Sequence, residues 1–513
     1  MFNWPKRIFN AIFNRLTITA AVIVAQAVYF IFLLVDFSDM SHYVTTTFQI
    51  LSVILLLYII WRDNNPAYQI GWIILICVFP VIGCVLFLLF GNKRPARYLK
   101  RRLDRQEDMH VEEMHQTAPI QEIRNQRLQR TASYVGKQCH YPAWQHSTTK
   151  YYPVADRMFE DMLEDLKNAE HFIFLEYFII ARGSLWDDIF EILRDKAAQG
   201  VDIRIIYDDV GSMRVLPKHF VRNMKENGIR VMAFNRMRPF LSLVYNNRDH
   251  RKIMVIDGYI AYNGGANIAD EYANRIVRFG HWKDGGVRVF GEACWNYTVM
   301  FLNMWNAFEK EHPDEDYSQF HPHTWHEDEF PSDGTVQPYS DTPLDDEDVG
   351  ESVYLEIINQ AQDYVFIYTP YLIVDEDMET ALKLAAKRGV DVRLVTPGIP
   401  DKWFIYQITR SNYDALLRAG VRIFEYTPGF IHAKNFVSDD RVGVIGTINI
   451  DFRSLFLHFE CGTLLYGTDS LVDLRNDAID TFRRSHEVTL QDGRQSFIGR
   501  LIGMILKVLS PLL

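Results

Sequence analysis

The chain has 513 residues, of which 48% are hydrophobic and 23% charged, a composition typical of a folded protein and not of a disordered one. The formal net charge of −11 is unevenly divided: residues 1–110 carry 11 Lys and Arg against 6 Asp and Glu, and the rest carries 43 against 59. Because nucleic-acid binding needs clustered cations to neutralise phosphates, we expect no nucleic-acid partner for so acidic a body.

Three long apolar segments come first, at about residues 17–35, 44–61 and 69–90, and none contains Asp, Glu, Lys or Arg. Their lengths fit helices that cross a bilayer, whereas a signal peptide would be a single shorter stretch. The second segment is near the lower length limit and fits a re-entrant segment as well. We predict that residues 1–110 form a membrane anchor with two or three transmembrane helices and a basic juxtamembrane segment.

A cluster of seven cations follows the third segment: Lys93, Arg94, Arg97, Lys100, Arg101, Arg102 and Arg105. By the positive-inside rule, this end of the anchor and the body behind it lie on the cytoplasmic face of the cell membrane. Lys6, Arg7 and Arg15 favour the same side for the N-terminus, which two crossing segments satisfy and three do not. The cluster fits a purely topological role, and equally an added role in attracting anionic lipid headgroups.

From residue 134 onwards, helical and strand-like patterns alternate. The helical pattern Asp156–Leu166 precedes the apolar run His171–Ile180, and the helical pattern Trp186–Ala198 leads into Val201–Tyr207. This alternation predicts an α/β fold.

Residues 313–351 differ from their surroundings, with 13 acidic residues and no Lys or Arg. This composition predicts an acidic linker or a long surface loop. His321, His323 and His326 lie within it, but their spacing matches no metal-ligand template, and we expect them to be solvated loop side chains. The five cysteines contain no CxxC pair and predict neither a zinc site nor a disulfide framework.

The body contains one motif twice. The first copy is His250-Arg-Lys252, Asp257 and Gly264-Gly-Ala-Asn267, and the second is His432-Ala-Lys434, Asp439 and Gly446-Thr-Ile-Asn449. Every matched position is offset by 182 residues, which indicates an internal duplication.

The spacing within each copy is that of a strand. Residues i and i+2 of a strand face the same side, so the His and Lys of each copy project together, while Arg251 or Ala433 faces the other way. The apolar run then continues into the core, and Asp257 or Asp439 ends it. We count these two aspartates with the catalytic motif and expect them mostly to satisfy local backbone groups.

Together the two copies supply what phosphodiester transfer needs: a nucleophile, an acid for the leaving oxygen and donors for the developing charge. On this hypothesis one of His250 and His432 attacks phosphorus to form a phosphohistidine. The other protonates the leaving oxygen and then deprotonates the incoming hydroxyl. Lys252, Lys434, Asn267 and Asn449 would hold the phosphate. This chemistry requires no metal, and we expect no cofactor.

A reactive histidine also needs a fixed tautomer, usually set by a carboxylate or carbonyl on its other ring nitrogen. The candidate orienting groups are Asp284, 34 residues after His250, and Glu460, 28 residues after His432. Surface carboxylates in ordinary salt bridges would give the same pattern.

The duplicated HxKxxxxD motif, followed by GGxN or GTxN, resembles the phospholipase D superfamily. Within it, the apolar N-terminal segments, Tyr207-Asp-Asp-Val-Gly211, Thr369-Pro-Tyr371 and Asn449-Ile-Asp-Phe-Arg-Ser454 are similar to bacterial cardiolipin synthases. One position departs from the pattern, because Asp249 stands where Asn is expected. The resemblance implies transfer of a phosphatidyl group between two phosphatidylglycerol molecules, giving cardiolipin and glycerol.

The resemblance also implies an architecture: two similar lobes, each a mixed sheet flanked by helices, around one active site and behind the transmembrane helices. We expect the lobes at residues 134–312 and 352–493, on either side of the linker. The expected partners are phosphatidylglycerol and an anionic bilayer, and an oligomer is compatible with the sequence.

Three features stay open to alternatives. Residues 494–513 fit an amphipathic interfacial helix or a last helix packed on the domain. Trp403–Tyr406 and Pro239–Val244 fit a lipid-facing rim or ordinary core elements. The same motifs also fit a hydrolase that uses water as the acceptor, and a membrane scaffold that holds headgroups without catalysis is the third possibility.

Overall fold

The structure, a computed structural model, describes residues 42–62, 66–91, 97–114, 118–236, 247–309, 315–345 and 347–492, with Val28, Gly503 and Leu506. The chain divides into two compact units. One consists of residues 1–97, 235–247 and 504–513, and the other of residues 98–234 and 248–503. The predicted segments 17–35 and 494–513 lie almost wholly outside the described residues, and so does Pro239–Val244.

The described part of the first unit contains the helices α1 (His42–Trp61), α2 (Pro66–Val78) and α3 (Pro80–Phe90). Their shared core includes Leu55, Ile59, Ile76 and Phe87. The predicted segment 69–90 is divided at Phe79, because Pro80 lacks an N–H and occupies the first turn of a new helix. Over the residues that the structure describes, no helix combines the length and apolar content needed to cross a bilayer.

The first half of the second unit contains a mixed sheet and its helices. In chain order these are α4 (Arg97–His110), α5 (Ala118–Gln121), α6 (Gln126–Gln138), β1 (Ser147–Tyr152), α7 (Ala155–Asn168), β2 (Phe172–Tyr177), α8 (Ser184–Ala198), β3 (Asp202–Asp208), α9 (Asp209–Ser212), α10 (Phe220–Glu226), β4 (Arg230–Phe234), β5 (Arg248–Asp249), β6 (Lys252–Ile256), β7 (Ile260–Gly264), β8 (His281–Lys283), β9 (Gly286–Gly291) and α11 (Cys294–Phe308).

The second half repeats this plan. It contains α12 (Pro322–Trp325), β10 (Thr335–Asp341), α13 (Val349–Gln360), β11 (Tyr364–Tyr368), α14 (Glu376–Lys387), β12 (Asp391–Pro397), α15 (Trp403–Ser411), α16 (Tyr413–Arg418), β13 (Arg422–Tyr426), β14 (Gly429–Ile431), β15 (Asn435–Ser438), β16 (Val442–Gly446), α17 (Phe452–Phe456), β17 (His458–Tyr466), α18 (Ser470–Arg483) and β18 (Ser485–Glu487).

The two main sheets have the same topology. Over the described residues, the first sheet has the order β1-β9-β7-β6-β2-β3-β4, and the second has β10-β17-β16-β15-β11-β12-β13 with β18 added at its end. The parallel pairs β2–β3 and β3–β4 correspond to the parallel pairs β11–β12 and β12–β13. The predicted α/β fold with two similar lobes is confirmed.

Part of the predicted acidic linker is a strand instead. β10 pairs along its whole length with β17, and all seven of its residues are buried. The linker prediction is therefore wrong for Thr335–Asp341. Pro338 is accommodated because β10 lies at the edge of the sheet, where a missing N–H breaks no inner ladder.

Each lobe also lends a short strand to the other. β5, from the first lobe, pairs in parallel with β17 of the second, and β14, from the second lobe, pairs in parallel with β8 of the first. His250 follows β5 directly, and His432 follows β14 directly. This exchange brings both histidines to the boundary between the lobes.

Candidate active site

Each motif histidine is hydrogen-bonded to a carboxylate of the opposite lobe. The Nδ1 atom of His250 lies 2.8 Å and 3.0 Å from the two carboxylate oxygens of Glu460. The Nδ1 atom of His432 lies 2.7 Å from Oδ2 of Asp284. Both carboxylates are fully buried, while the histidine side chains keep about a tenth of their surface exposed, at 10% for His250 and 9% for His432.

The strand exchange explains this crossed pairing. The backbone N–H of His250 donates to the carbonyl of Phe459, and that of His432 donates to the carbonyl of Lys283. The residue after each of these carbonyls is the carboxylate that meets the imidazole, Glu460 or Asp284. Both predicted orienting groups are thus in contact with a histidine, but each serves the lobe to which it does not belong.

Burial keeps both imidazoles neutral. It lowers the pKa of His250 well below the ordinary value, and the nearby charges of Lys252 and Lys434 lower it further. Burial and the Lys434 ammonium, whose Nζ lies 2.8 Å from Nδ1, lower the pKa of His432 to about 4, although Asp284 opposes the shift. When a neutral imidazole carries its proton on Nδ1 and donates it in a hydrogen bond to a carboxylate, the lone pair of Nε2 is free to attack.

The two motif lysines are buried beside their histidines. The Nζ of Lys252 donates to the carbonyl of His250, and that of Lys434 donates to the carbonyl of His432. Burial lowers the pKa of Lys252 to about 8 and that of Lys434 to about 7. The buried ammonium groups are therefore poorly stabilised by the protein alone, and a bound anion would stabilise their charged form.

The two motif aspartates lie at the far ends of the strands. Asp257 accepts hydrogen bonds from the backbone N–H groups of Glu170, His171 and Phe172, each at 2.8 Å. Asp439 accepts three equivalent bonds from residues 362–364. Asp257 comes five positions after Lys252, a distance of roughly 17 Å along an extended strand. These contacts satisfy backbone N–H groups at the turn after each strand, as expected, and the grouping of the two aspartates with the catalytic residues stays a prediction.

The two motif asparagines are anchored locally. The amide of Asn267 donates to the hydroxyl of Tyr272, and its oxygen accepts from the backbone N–H of Ile179. The amide of Asn449 donates to the hydroxyl of Ser454. Since a carboxamide has two N–H groups, each amide has a second N–H beyond these bonds.

Sequence reasoning assigned no role to three further groups at this site: Thr447, the pair of Asp249 and Glu176, and His458. Thr447, which stands where the first lobe has Gly265, donates its hydroxyl to Glu460. Asp249 and Glu176 are buried together, and burial raises the pKa of both. A protonated Asp249 can donate a hydrogen bond as the expected Asn would. The third group is His458, whose ring centroid lies 5.5 Å from that of His250.

Within the described part of the chain, one cluster has the composition of a metal site. The possible ligand atoms of His250, His458 and Glu460 all lie within 4.8 Å of one another. The Nδ1 atom of His250 is already bonded to Glu460, and Glu460 also accepts from Thr447. An ion held by Nδ1 of His250 would displace the hydrogen bond that fixes this histidine.

Two family models match the sequence. One, described as "Cardiolipin synthase, PLD-like domain", matches residues 162–276 and 354–482. The other, described as "Phospholipase_D-nuclease N-terminal", matches residues 50–92. A cardiolipin synthase of Geobacillus kaustophilus is 35% identical over 475 residues, covering 90% of this chain and 92% of that protein. The chain belongs to the cardiolipin synthase family.

Other relatives agree with this assignment. A cardiolipin synthase of Alkalihalophilus pseudofirmus is 33% identical over 477 residues, which cover 90% of this chain and 92% of that protein. An uncharacterized protein of Streptococcus mutans is 41% identical over 89% of this chain and 99% of that protein. The crystal structure of a phosphatidylserine synthase from Haemophilus influenzae covers 76% of this chain and 98% of its own, with a TM-score of 0.55 at 14% identity, and supports the fold.

Proposed function

We propose that this protein transfers a phosphatidyl group from one phosphatidylglycerol to the headgroup hydroxyl of a second, giving cardiolipin and glycerol. The observation that carries the proposal is the crossed pair of histidines, each oriented by a buried carboxylate of the other lobe. Membership of the cardiolipin synthase family names the substrate, which the geometry alone does not.

The reaction then has two balanced steps. In the first, Nε2 of one imidazole attacks phosphorus, the bond to the glycerol oxygen breaks, and the other imidazole, protonated, gives its proton to that oxygen. In the second, the now neutral imidazole takes the proton of the incoming hydroxyl, whose oxygen displaces the phosphohistidine. Lys252 and Lys434, with the free amide protons of Asn267 and Asn449, neutralise the charge on the non-bridging oxygens.

Binding of the phosphodiester anion allows the acid histidine to take up a proton from solvent. Without an anion, burial and the two lysines keep both imidazoles neutral at pH 7. A bound phosphodiester anion offsets the lysine charges, and this raises the histidine pKa values. Protonation of one imidazole is thereby linked to substrate binding.

Hydrolysis by the same chemistry is the competing function, because water can replace the second phosphatidylglycerol. The test is to incubate the purified full-length protein with phosphatidylglycerol in mixed micelles and to quantify the lipid products. We expect cardiolipin and glycerol in equal amounts. Phosphatidic acid as the main product would replace the proposal with a phospholipase.

For the membrane, we propose that the apolar segments 17–35, 44–61 and 69–90 anchor the protein as two or three transmembrane helices. The cations between Lys93 and Arg105 favour the cytoplasmic face for the lobes. We retain residues 1–110, 134–312 and 494–513 as the anchor, the first lobe and an amphipathic C-terminal helix, and we extend the second lobe from the predicted 352–493 to include β10. Accessibility of single introduced cysteines to a membrane-impermeant reagent in intact cells tests the topology.

We also propose that the start of α15 faces lipid. Trp403 is 63% exposed and Phe404 is 38% exposed, whereas Ile405 packs inside. Two adjacent exposed aromatics beside Lys402 fit an interface with lipid headgroups. Replacing both aromatics by serine should weaken binding to phosphatidylglycerol vesicles without changing kcat on a short-chain, soluble lipid.

A further inference from the structure

His458 is a position at which the two halves of the site differ. Two residues before the carboxylate that orients each histidine, the second lobe has His458 and the first lobe has Trp282. The strand exchange gives them equivalent registers, since His458 pairs with Arg248 and Trp282 pairs with Phe430. His250 therefore has an imidazole as its neighbour, at 5.5 Å between centroids, while His432 has an indole, at 5.7 Å.

The two ring nitrogens of His458 make no hydrogen bonds to the described residues. Its side chain is 10% exposed. Its Nδ1 lies 3.8 Å from Oε1 of Glu460, beyond hydrogen-bond distance. A buried imidazole without partners costs free energy, which a bound polar ligand would recover.

A neutral imidazole offers one donor and one acceptor, which together match a hydroxyl group. The glycerol end of phosphatidylglycerol and the glycerol that leaves both carry a second hydroxyl next to the reacting one. If the reacting oxygen is at His250, a hydroxyl on the adjacent carbon is within reach of the His458 ring, whose centroid lies 5.5 Å from that of His250. Trp282 has a single N–H and can only donate.

We propose that His458 forms a hydroxyl-binding subsite beside His250 that recognises the vicinal diol of the glycerol headgroup. This inference rests on the proposed function, which supplies the reaction in which such a diol leaves and enters. His458 acts as a positioning residue: it holds the hydroxyl next to the reacting one, so that the reacting oxygen meets His250.

The test is a competition between two soluble acceptors, 1,2-propanediol and 1-propanol, with phosphatidylglycerol as the donor. The two alcohols differ in the hydroxyl adjacent to the primary one, and the ratio of their two phosphatidyl products is independent of the overall rate. We expect the full-length wild-type protein to favour the diol by about tenfold, since a site built to bind a hydroxyl discriminates strongly against its absence.

Three variants test whether His458 causes the preference for the diol. His458→Phe keeps the ring but removes both polar atoms, and should reduce the preference to about twofold or less. His458→Gln restores a donor and an acceptor and should recover part of the preference. Trp282→Phe is the matched control at the equivalent position of the other lobe, and should keep the wild-type ratio whatever its effect on rate.

Several results would overturn the subsite. These are a wild-type ratio near one, an unchanged ratio in His458→Phe, or a ratio that falls in Trp282→Phe instead. The wild-type ratio decides against the subsite even where a variant does not fold, and His458→Leu is a second apolar replacement. If the wild-type protein favours the diol but makes no cardiolipin, the proposed function fails and the subsite stands.

Discussion

At the residue scale, the site depends on carboxylates that the chain supplies from the opposite half. Glu460 meets His250 and Asp284 meets His432, although each carboxylate follows the other histidine in sequence. A lobe expressed alone would have its histidine and lysine but not the group that fixes the tautomer. The crossed contacts thus make the two halves a single catalytic unit.

This arrangement predicts the effect of removing one charge. Glu460→Gln should lower kcat by roughly 10²–10⁴-fold, because the imidazole of His250 loses the anion that fixes its tautomer and stabilises its protonated form. Asp284→Asn should act in the same way on His432. The measurement is the initial rate of cardiolipin formation, with the exposed Glu487→Gln as the control. A rate within threefold of wild type in Glu460→Gln would contradict the crossed orientation.

The lowered pKa values predict the pH profile of kcat/KM. The nucleophile reacts when deprotonated, so a pKa of about 4 for His432 and a lowered pKa for His250 move the acidic limb well below 6.5. The acid histidine and the lysines act when protonated, so the lowered histidine pKa values and a pKa of about 7 for Lys434 put the alkaline limb no higher than neutral pH. Rates in mixed micelles from pH 4 to 10 test this. An acidic limb at or above 6.5 is the contrary result.

At the element scale, the sequence predicted the parts that depend on local pattern. The motif copies, the strands β6 and β15 with their apolar runs, and the alternation of helices and strands all follow from periodicity. The crossed contacts could not be predicted, because β5 and β14 are two or three residues long and pair with strands distant in sequence. β10 was missed because its surroundings are acidic and Pro338 interrupts the usual strand composition.

The motif aspartates give a prediction about turns. Each accepts three backbone N–H groups and has a positive φ, of 50° for Asp257 and 53° for Asp439, where Ala is disfavoured. We expect Asp257→Ala and Asp439→Ala to lower Tm by about 5–10 °C, while kcat of the folded protein changes less than about threefold. Thermal melting and rates on the soluble fraction check this. An unchanged Tm together with lost activity would indicate that the aspartates take part in catalysis.

At the scale of the whole molecule, two lobes with one sheet topology enclose one set of reacting groups. On the proposed mechanism this set supplies the nucleophile, the acid and the hydrogen-bond donors to phosphate, so turnover should not depend on a metal ion. We expect the rate of cardiolipin formation to stay within twofold after dialysis against EDTA. Loss of activity that Zn²⁺ restores would instead assign the cluster of His250, His458 and Glu460 to a metal.

The most direct test of a single shared site is the stoichiometry of the covalent intermediate. The protein is mixed with phosphatidylglycerol labelled in its phosphatidyl group, quenched in alkali to preserve phosphohistidine, digested and mapped by mass spectrometry. We predict at most one phosphatidyl group per chain, on His250 or His432, and none in the variant that replaces that histidine. Two groups per chain, or a label on a residue outside the two motifs, would contradict one phosphorus atom held between the lobes.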